Sequence, residues 1–83
     1  MTYRIDIDRR CEAERVLLFQ GLLDRAALDD LLLRIVASAL PVRLVLRTGT
    51  ELDPVCLAAV RALPAHVFAE SAFLSRWLSE ELP

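Results

Sequence analysis

The segment 42–63, VRLVLRTGTELDPVCLAAVRAL, decides the fold of this chain. Its first residues, 42–47, have the apolar pattern of a buried strand, and a short polar loop follows them. The pair Asp53-Pro54 then predicts the start of a helix. An Asp side chain can accept backbone N–H bonds at the N-cap, and proline at the first helical position loses only an N–H that had no partner. Strand, loop and helix in this order predict one crossover unit of an α/β sheet.

The flanking segments extend this unit to a whole domain. Residues 3–8 alternate apolar and charged side chains, which predicts a half-buried strand, whereas residues 16–20 are apolar on both faces and predict a more central strand. Asp24 is the expected N-cap of a helix whose apolar stripe includes Leu28, Leu31, Leu32, Ile35 and Ala39 and which Pro41 ends. Residues 66–69 predict a last short strand. Ser71 then caps a final helix, with Phe73/Trp77 and Leu74/Leu78/Leu82 facing inward.

The predicted order is ββαβαβα, and it forms a single α/β domain that covers residues 1–83. Its sheet has four mostly parallel strands. Right-handed crossovers that add each strand on the same side place the helices on one face of this sheet.

The other face of the predicted sheet is left open. Strict alternation places four apolar side chains there: Leu17, Phe19, Val45 and Phe68. Contiguous apolar surface rimmed by charge marks interaction sites, so we expect this face to pack against another protein, with an isologous homodimer as one candidate. The alternative is that strand twist lets arginine stems cover the patch.

Composition argues against several classes of function. All ten basic residues are arginines, they are scattered, and the net charge is −2, whereas nucleic-acid binding needs a basic patch. No apolar stretch reaches the ~18 residues of a membrane span, so we predict no membrane insertion. Cys11 and Cys56 are too few and too isolated for a disulfide scaffold or a zinc site. We therefore expect reduced thiols, a cytoplasmic location, no metal and no cofactor.

The loop and helix start after strand 42–47 form the predicted partner-binding site, because function concentrates on loops that a rigid scaffold positions. Its members are Thr48, Gly49, Thr50, Asp53, Pro54, Val55 and Cys56. Neither a lysine nor a glycine-rich cradle accompanies them. His66 has no Ser, Cys or carboxylate at a recognisable catalytic spacing, so we do not expect an enzyme.

The element order, the turn Gly21-Leu22-Leu23-Asp24 and the run Leu52-Asp53-Pro54-Val55-Cys56-Leu57 resemble the STAS domain. This is the domain of anti-anti-sigma factors and of the cytoplasmic tails of sulfate transporters. The family pattern is hydrophobic-Asp-Ser-Ser/Thr-Gly-Leu. Asp53 and Leu57 match it, whereas both hydroxyl positions and the glycine are replaced. The resemblance implies a bacterial, cytoplasmic, non-catalytic regulatory or scaffolding module whose protein partner is an anti-sigma or kinase-like protein.

In phosphorylated members of that family, the hydroxyl at the position of Val55 accepts phosphate from a partner kinase. Valine has no hydroxyl, so this switch cannot operate here. Thr48 and Thr50 are alternative acceptors, unless their hydroxyls bond to backbone and shape the turn. The alternative function is a small-ligand module that holds a nucleotide or a lipid with the Thr48–Thr50 loop.

Overall fold

The computed structural model of the chain describes residues 2–79 and confirms a small α/β fold. Its elements in chain order are β1 Tyr3–Asp8, β2 Arg15–Leu23, α1 Arg25–Ala37, β3 Val42–Leu46, β4 Glu51–Leu52, α2 Leu57–Arg61, β5 His66–Ala69 and α3 Ala72–Ser79. A 3-10 turn, Pro54–Cys56, leads directly into α2. No helix within residues 2–79 has the length and hydropathy needed to cross a bilayer.

The sheet has five strands, so the predicted count of four is wrong. The main order is β1-β2-β3-β5, with β1 antiparallel to β2 and the other pairings parallel. The strand that was not predicted is β4. The nine residues of β2 extend beyond β3, and β4 pairs in parallel with Leu22 and Leu23 at their end. Residues 21–23, which were predicted to form a turn, are therefore the end of this strand. Two residues are too short to show a period of two, so the sequence pattern could not reveal this strand.

The predicted facing of β2 is also wrong. Leu17 pairs with Leu44 and Phe19 pairs with Leu46, and residues paired across neighbouring strands share a face. Leu17 is 1% exposed and Phe19 is fully buried, so both belong to the helix-covered core and not to the open face. The predicted alternation of β2 is shifted by one residue, which exchanges the two faces of the strand. A strand that is apolar on both faces carries no alternation from which its facing could be determined.

The open face therefore has a different membership from the one predicted. Leu18, Val45 and Phe68 form one row across β2, β3 and β5, and Val16 lies beside this row on β2. Val45 and Phe68 are confirmed on this face. Leu18 and Val16, which alternate with Leu17 and Phe19 along β2, lie here in their place and are half-buried.

The helices pack on the other face, as predicted, and contribute Leu28, Leu31, Ile35, Val60 and Leu74 to the core. Leu63, which follows α2, is buried with them. The capping prediction for α1 is confirmed, because the Ala27 N–H donates to Asp24 Oδ1 over 3.0 Å. The predicted apolar stripe of α1 is wrong at two positions. Leu32 lies on the flank of the helix and is exposed, and Ala39 lies beyond the end of the helix. Leu82 lies outside the described residues.

Strands β2 to β5 run parallel, so their carboxyl ends share one edge of the sheet, here named the carboxyl edge. The loop between β3 and β4 lies at this edge. So do the starts of α1, the 3-10 turn and α3, because each follows one of these strands directly. This edge contains the predicted partner-binding site.

Candidate functional site

A tight turn connects β3 to β4. The Thr50 N–H donates to the Arg47 carbonyl oxygen over 3.0 Å, which closes the turn. Gly49, its third residue, has a φ of +96°, in the region that a type II turn requires at this position and that glycine adopts without strain. The sequence Thr48-Gly49 therefore determines the shape of the loop.

The neighbouring strands hold this turn from both sides. Gln20 Nε2 on β2 donates to the Thr48 carbonyl oxygen over 3.3 Å. The Thr48 N–H donates to Oε1 of Glu70, which follows β5, over 3.1 Å. Because both of its backbone groups are bonded, Thr48 is fixed while its side chain remains exposed.

Thr50 has the opposite environment, with only 9% of its surface exposed. Its hydroxyl donates to the Phe19 carbonyl oxygen over 3.2 Å. The expectation that a loop hydroxyl bonds to backbone is confirmed for Thr50, although the acceptor lies on β2 and not within the turn. A kinase could reach this hydroxyl only if the loop opened.

The N-cap prediction at Asp53 is confirmed. The Val55 N–H donates to Asp53 Oδ1 over 3.1 Å, and the Cys56 N–H donates to the Asp53 carbonyl oxygen over 2.9 Å. The helix predicted for residues 54–63 is shorter than expected. It starts as a 3-10 turn, a common helix beginning, and becomes α-helical only at Leu57–Arg61.

The structure separates the predicted site into surface and interior residues. Val55 is 88% exposed, and Pro54, Thr48 and Gly49 are exposed beside it at the carboxyl edge. Asp53 is half-buried. Cys56, like Thr50, points into the core, so a partner that docks here cannot touch either side chain. Thr50 and Cys56 therefore stabilise the loop and the turn from the core side.

Phe73 was predicted to face the core, and this prediction is wrong, because Phe73 is a surface residue. It is 70% exposed in the first turn of α3, while its ring packs against Trp77 with centroids 5.7 Å apart. Leu74 takes the core position instead, and successive residues of a helix point about 100° apart. The pairs Phe73/Trp77 and Leu74/Leu78 are both apolar and lie one residue apart. This spacing was the signal that the two pairs could not face the core equally.

The site offers little to an anionic ligand. The Asp53 carboxylate already accepts an N–H at the start of the turn, and its negative charge occupies the end that would attract an anion. Among the concavities on the surface of residues 2–79, four have volumes of about 350–380 Å³, and the Thr48–Thr50 loop lines none of these four. Within the same residues, no cluster of three His, Cys, Asp or Glu side chains is arranged to hold a metal ion.

No protein-family model, curated protein or solved structure matches this chain. The resemblance to the STAS domain therefore stays a prediction that rests on the residues quoted above.

Proposed function

We propose that this chain is a non-catalytic, STAS-like regulatory or scaffolding module that binds a protein partner at the carboxyl edge. The observation that carries the proposal is Val55, which is 88% exposed at the tip of the capped turn. Beside it lie Pro54 and, at the same edge, the exposed ring of Phe73. Functional residues concentrate on loops that a scaffold positions, and an apolar cluster exposed there would suit a protein partner.

The rigidity of this edge supports the same proposal. Hydrogen bonds from Gln20, to Glu70 and to Asp53 hold the loop and the turn before any partner arrives. A preorganised surface loses less conformational entropy when it binds, so more of the contact free energy remains as affinity.

Binding in this proposal is not gated by phosphorylation at Val55, because valine has no acceptor hydroxyl. Thr48 is the accessible hydroxyl of the loop, and the Glu70 carboxylate lies 3.1 Å from its backbone nitrogen. A phosphate on Thr48 would place like charges side by side and weaken this contact.

The small-ligand alternative has weaker support. In open α/β sheets, ligands bind where the strand order reverses and helices diverge to opposite faces. Here β2, β3 and β5 follow one another in a single direction with the helices on one face, so no such crevice forms. The carboxyl edge suits a protein surface better than a nucleotide or a lipid.

The partner class and the location are also proposals. An anti-sigma or kinase-like partner and a bacterial cytoplasm follow from the STAS resemblance alone. The open sheet face is a second proposed contact, either for this partner or for another copy of the chain. Its apolar row is narrow, because the Arg43–Glu14 and Arg47–Glu70 ion pairs, at 3.4 and 3.9 Å, lie on either side of it.

Site-specific photocrosslinking in the native host tests the main proposal. A photoreactive phenylalanine derivative at Val55 should give one discrete protein adduct. The matched control is the same derivative at Val36 on α1, which is 71% exposed beside Leu32 and Leu33, has similar apolar exposure away from the carboxyl edge, and should not give this adduct. Val55→Asp should abolish capture of the adducted protein, while Val36→Asp should retain it.

Two results would contradict this proposal. Equal adducts from Val55 and Val36 would mean that the carboxyl edge has no preferred partner. Saturable heat on calorimetric titration with nucleotides or phospholipids, lost on Thr48 substitution, would favour the small-ligand alternative instead.

A further inference from the structure

We propose that β1 is a self-docking edge: two copies pair their β1 strands antiparallel around Ile5, which joins two sheets into one. Strand β1 ends the sheet order, and its only strand partner among residues 2–79 is β2. The occupant we infer is a second copy of this chain. The inference does not depend on the function proposed for the carboxyl edge.

The hydrogen-bond phase of β1 supports this pairing. The Leu22 N–H donates to the Thr2 carbonyl oxygen over 2.8 Å, and β1 continues antiparallel from this bonded pair. Backbone groups alternate in direction along a strand, so those of Tyr3, Ile5 and Ile7 point away from β2. When Ile5 faces Ile5 of the second copy, Tyr3 faces Ile7. Three N–H groups of each copy then meet three carbonyls of the other, giving six hydrogen bonds.

Charge selects this register over its neighbours. Centring on Ile5 places Arg4 opposite Asp6 of the second copy, twice over. Centring on Arg4 or on Asp6 would instead place that residue opposite itself, and like charges directly opposite are destabilising. Within one copy, Arg4 Nε lies 2.9 Å from Asp6 Oδ2, and both side chains are reached by solvent. They can therefore re-pair across the new strand boundary.

The core side of β1 is also incompletely covered. Tyr3, Ile5 and Ile7 are half-buried, whereas Leu17 and Phe19 beside them on β2 are buried. Two concavities, of about 350 and 380 Å³, lie between β1 and α1, and Arg34 lines both. Another strand alongside β1 would bury more of these apolar side chains. When the β1 edge is bonded to water instead, they stay partly exposed.

The joined sheet leaves room for its helices. Helix α1 packs on β2, and the two β2 strands of the pair would be three strand spacings apart, about 14 Å. Packed helices need axes only 8–10 Å apart, so the two α1 helices do not collide.

Tyr3 is already anchored, because its hydroxyl donates to Asp30 Oδ2 over 2.9 Å and its ring stacks on Phe19.

Sedimentation velocity over a wide concentration series tests the proposal with charge variants. We expect the unmodified chain to dimerise, and Arg4→Asp and Asp6→Arg each to weaken the dimer at least tenfold. The double variant R4D/D6R should restore it, and an equimolar mixture of the two single variants should form the mixed dimer. Arg25→Asp is the matched control, since it makes the same charge change on α1 at its ion pair with Asp29 and should leave the dimer intact.

A chain that stays monomeric at every concentration would overturn the proposal. So would a dimer that survives Arg4→Asp, or one that Val45→Glu disrupts and Arg4→Asp does not, because these results would place the contact elsewhere. If circular dichroism shows that a charge variant is unfolded, amide exchange of the unmodified chain decides. The Ile5 amide should become protected as concentration rises, and an unprotected Ile5 amide in the dimer would refute β1 pairing.

Discussion

Replacing Gly21 by alanine should disrupt the pairing of β1 with β2, whereas the same replacement at Gly49 should only weaken the protein. Gly21 has a φ of +114°, and a Cβ atom there would lie 2.4 Å from the Thr2 carbonyl oxygen and 2.6 Å from the Tyr3 Cα. Both are backbone atoms, one in β1 and one in the residue just before it, so neither can rotate away. At Gly49, with a φ of +96°, the nearest atom would be Nε2 of the flexible Gln20 side chain at 3.4 Å.

The magnitudes follow from this difference. Both variants pay for a left-handed backbone, which costs about 1–3 kcal/mol in a residue other than glycine. Only Gly21→Ala must also move backbone, by about 1 Å, to open a contact of 2.4 Å to the 3.4 Å of ordinary van der Waals contact. Forced overpacking adds about 1–3 kcal/mol or more. A domain of this size has a total stability of roughly 4–12 kcal/mol, so Gly21→Ala approaches the limit of folding.

Thermal and urea unfolding followed by circular dichroism would measure both effects. At about 4–8 °C per kcal/mol, Gly49→Ala should lower the Tm by roughly 5–20 °C, and Gly21→Ala by about twice as much or beyond a measurable transition. Because the backbone strain is shared, the difference between the two variants reports the clash with β1. Equal shifts would refute the reasoning, since they would mean that β1 does not approach Gly21 as closely as the structure shows.

Three further outcomes are expected. Val55→Thr should leave the Tm nearly unchanged, because position 55 is exposed. If the native host contains a kinase for the site, phosphopeptide mass spectrometry should find phosphate in the turn of the variant and not in the turn of the unmodified chain. A hydrogen bond from Arg34 is the main reason that the pKa of Asp30 is below its usual value. The ionised carboxylate therefore stabilises the fold above about pH 4, and this stabilisation is lost as the pH falls through the pKa of the folded state. Acid titration should accordingly destabilise the unmodified chain more steeply than the Asp30→Asn variant. Thr50→Val should cost about 1 kcal/mol in urea unfolding by removing the hydroxyl bonded to Phe19, and a Thr50→Ser variant that costs as much would show that this hydrogen bond is not the cause.

Local signals in the sequence predicted the elements that depend on local physics. The caps at Asp24 and Asp53 were predictable because a carboxylate that accepts an N–H two or three residues ahead needs nothing from the rest of the fold. The alternating strands β1 and β3 were predicted for the same reason. The facing of Leu17 and Phe19 was not predictable, because it is set by the register with β3 and the pattern of β2 is apolar on both faces.

The candidate site shows the same division between local and tertiary information. Its position after β3 and its cap were predictable from the turn residues. The burial of Thr50 was not, since its hydroxyl bonds to the Phe19 carbonyl oxygen, and this contact depends on how the loop before β4 lies against β2. The exposure of Phe73 likewise depends on which residue of α3 reaches the core first.

The two positions that match the family pattern have structural roles here: Asp53 caps the turn, and Leu57 packs against the core. Either residue would be needed for this strand-turn-helix whether or not a phosphate is ever attached. Two of the positions that depart from the pattern, Pro54 and Val55, lie on the surface where a partner would make contact. The two matches are thus explained by the local fold alone, while the specificity of the proposed partner contact would have to come from the exposed residues that depart from the pattern, above all Val55.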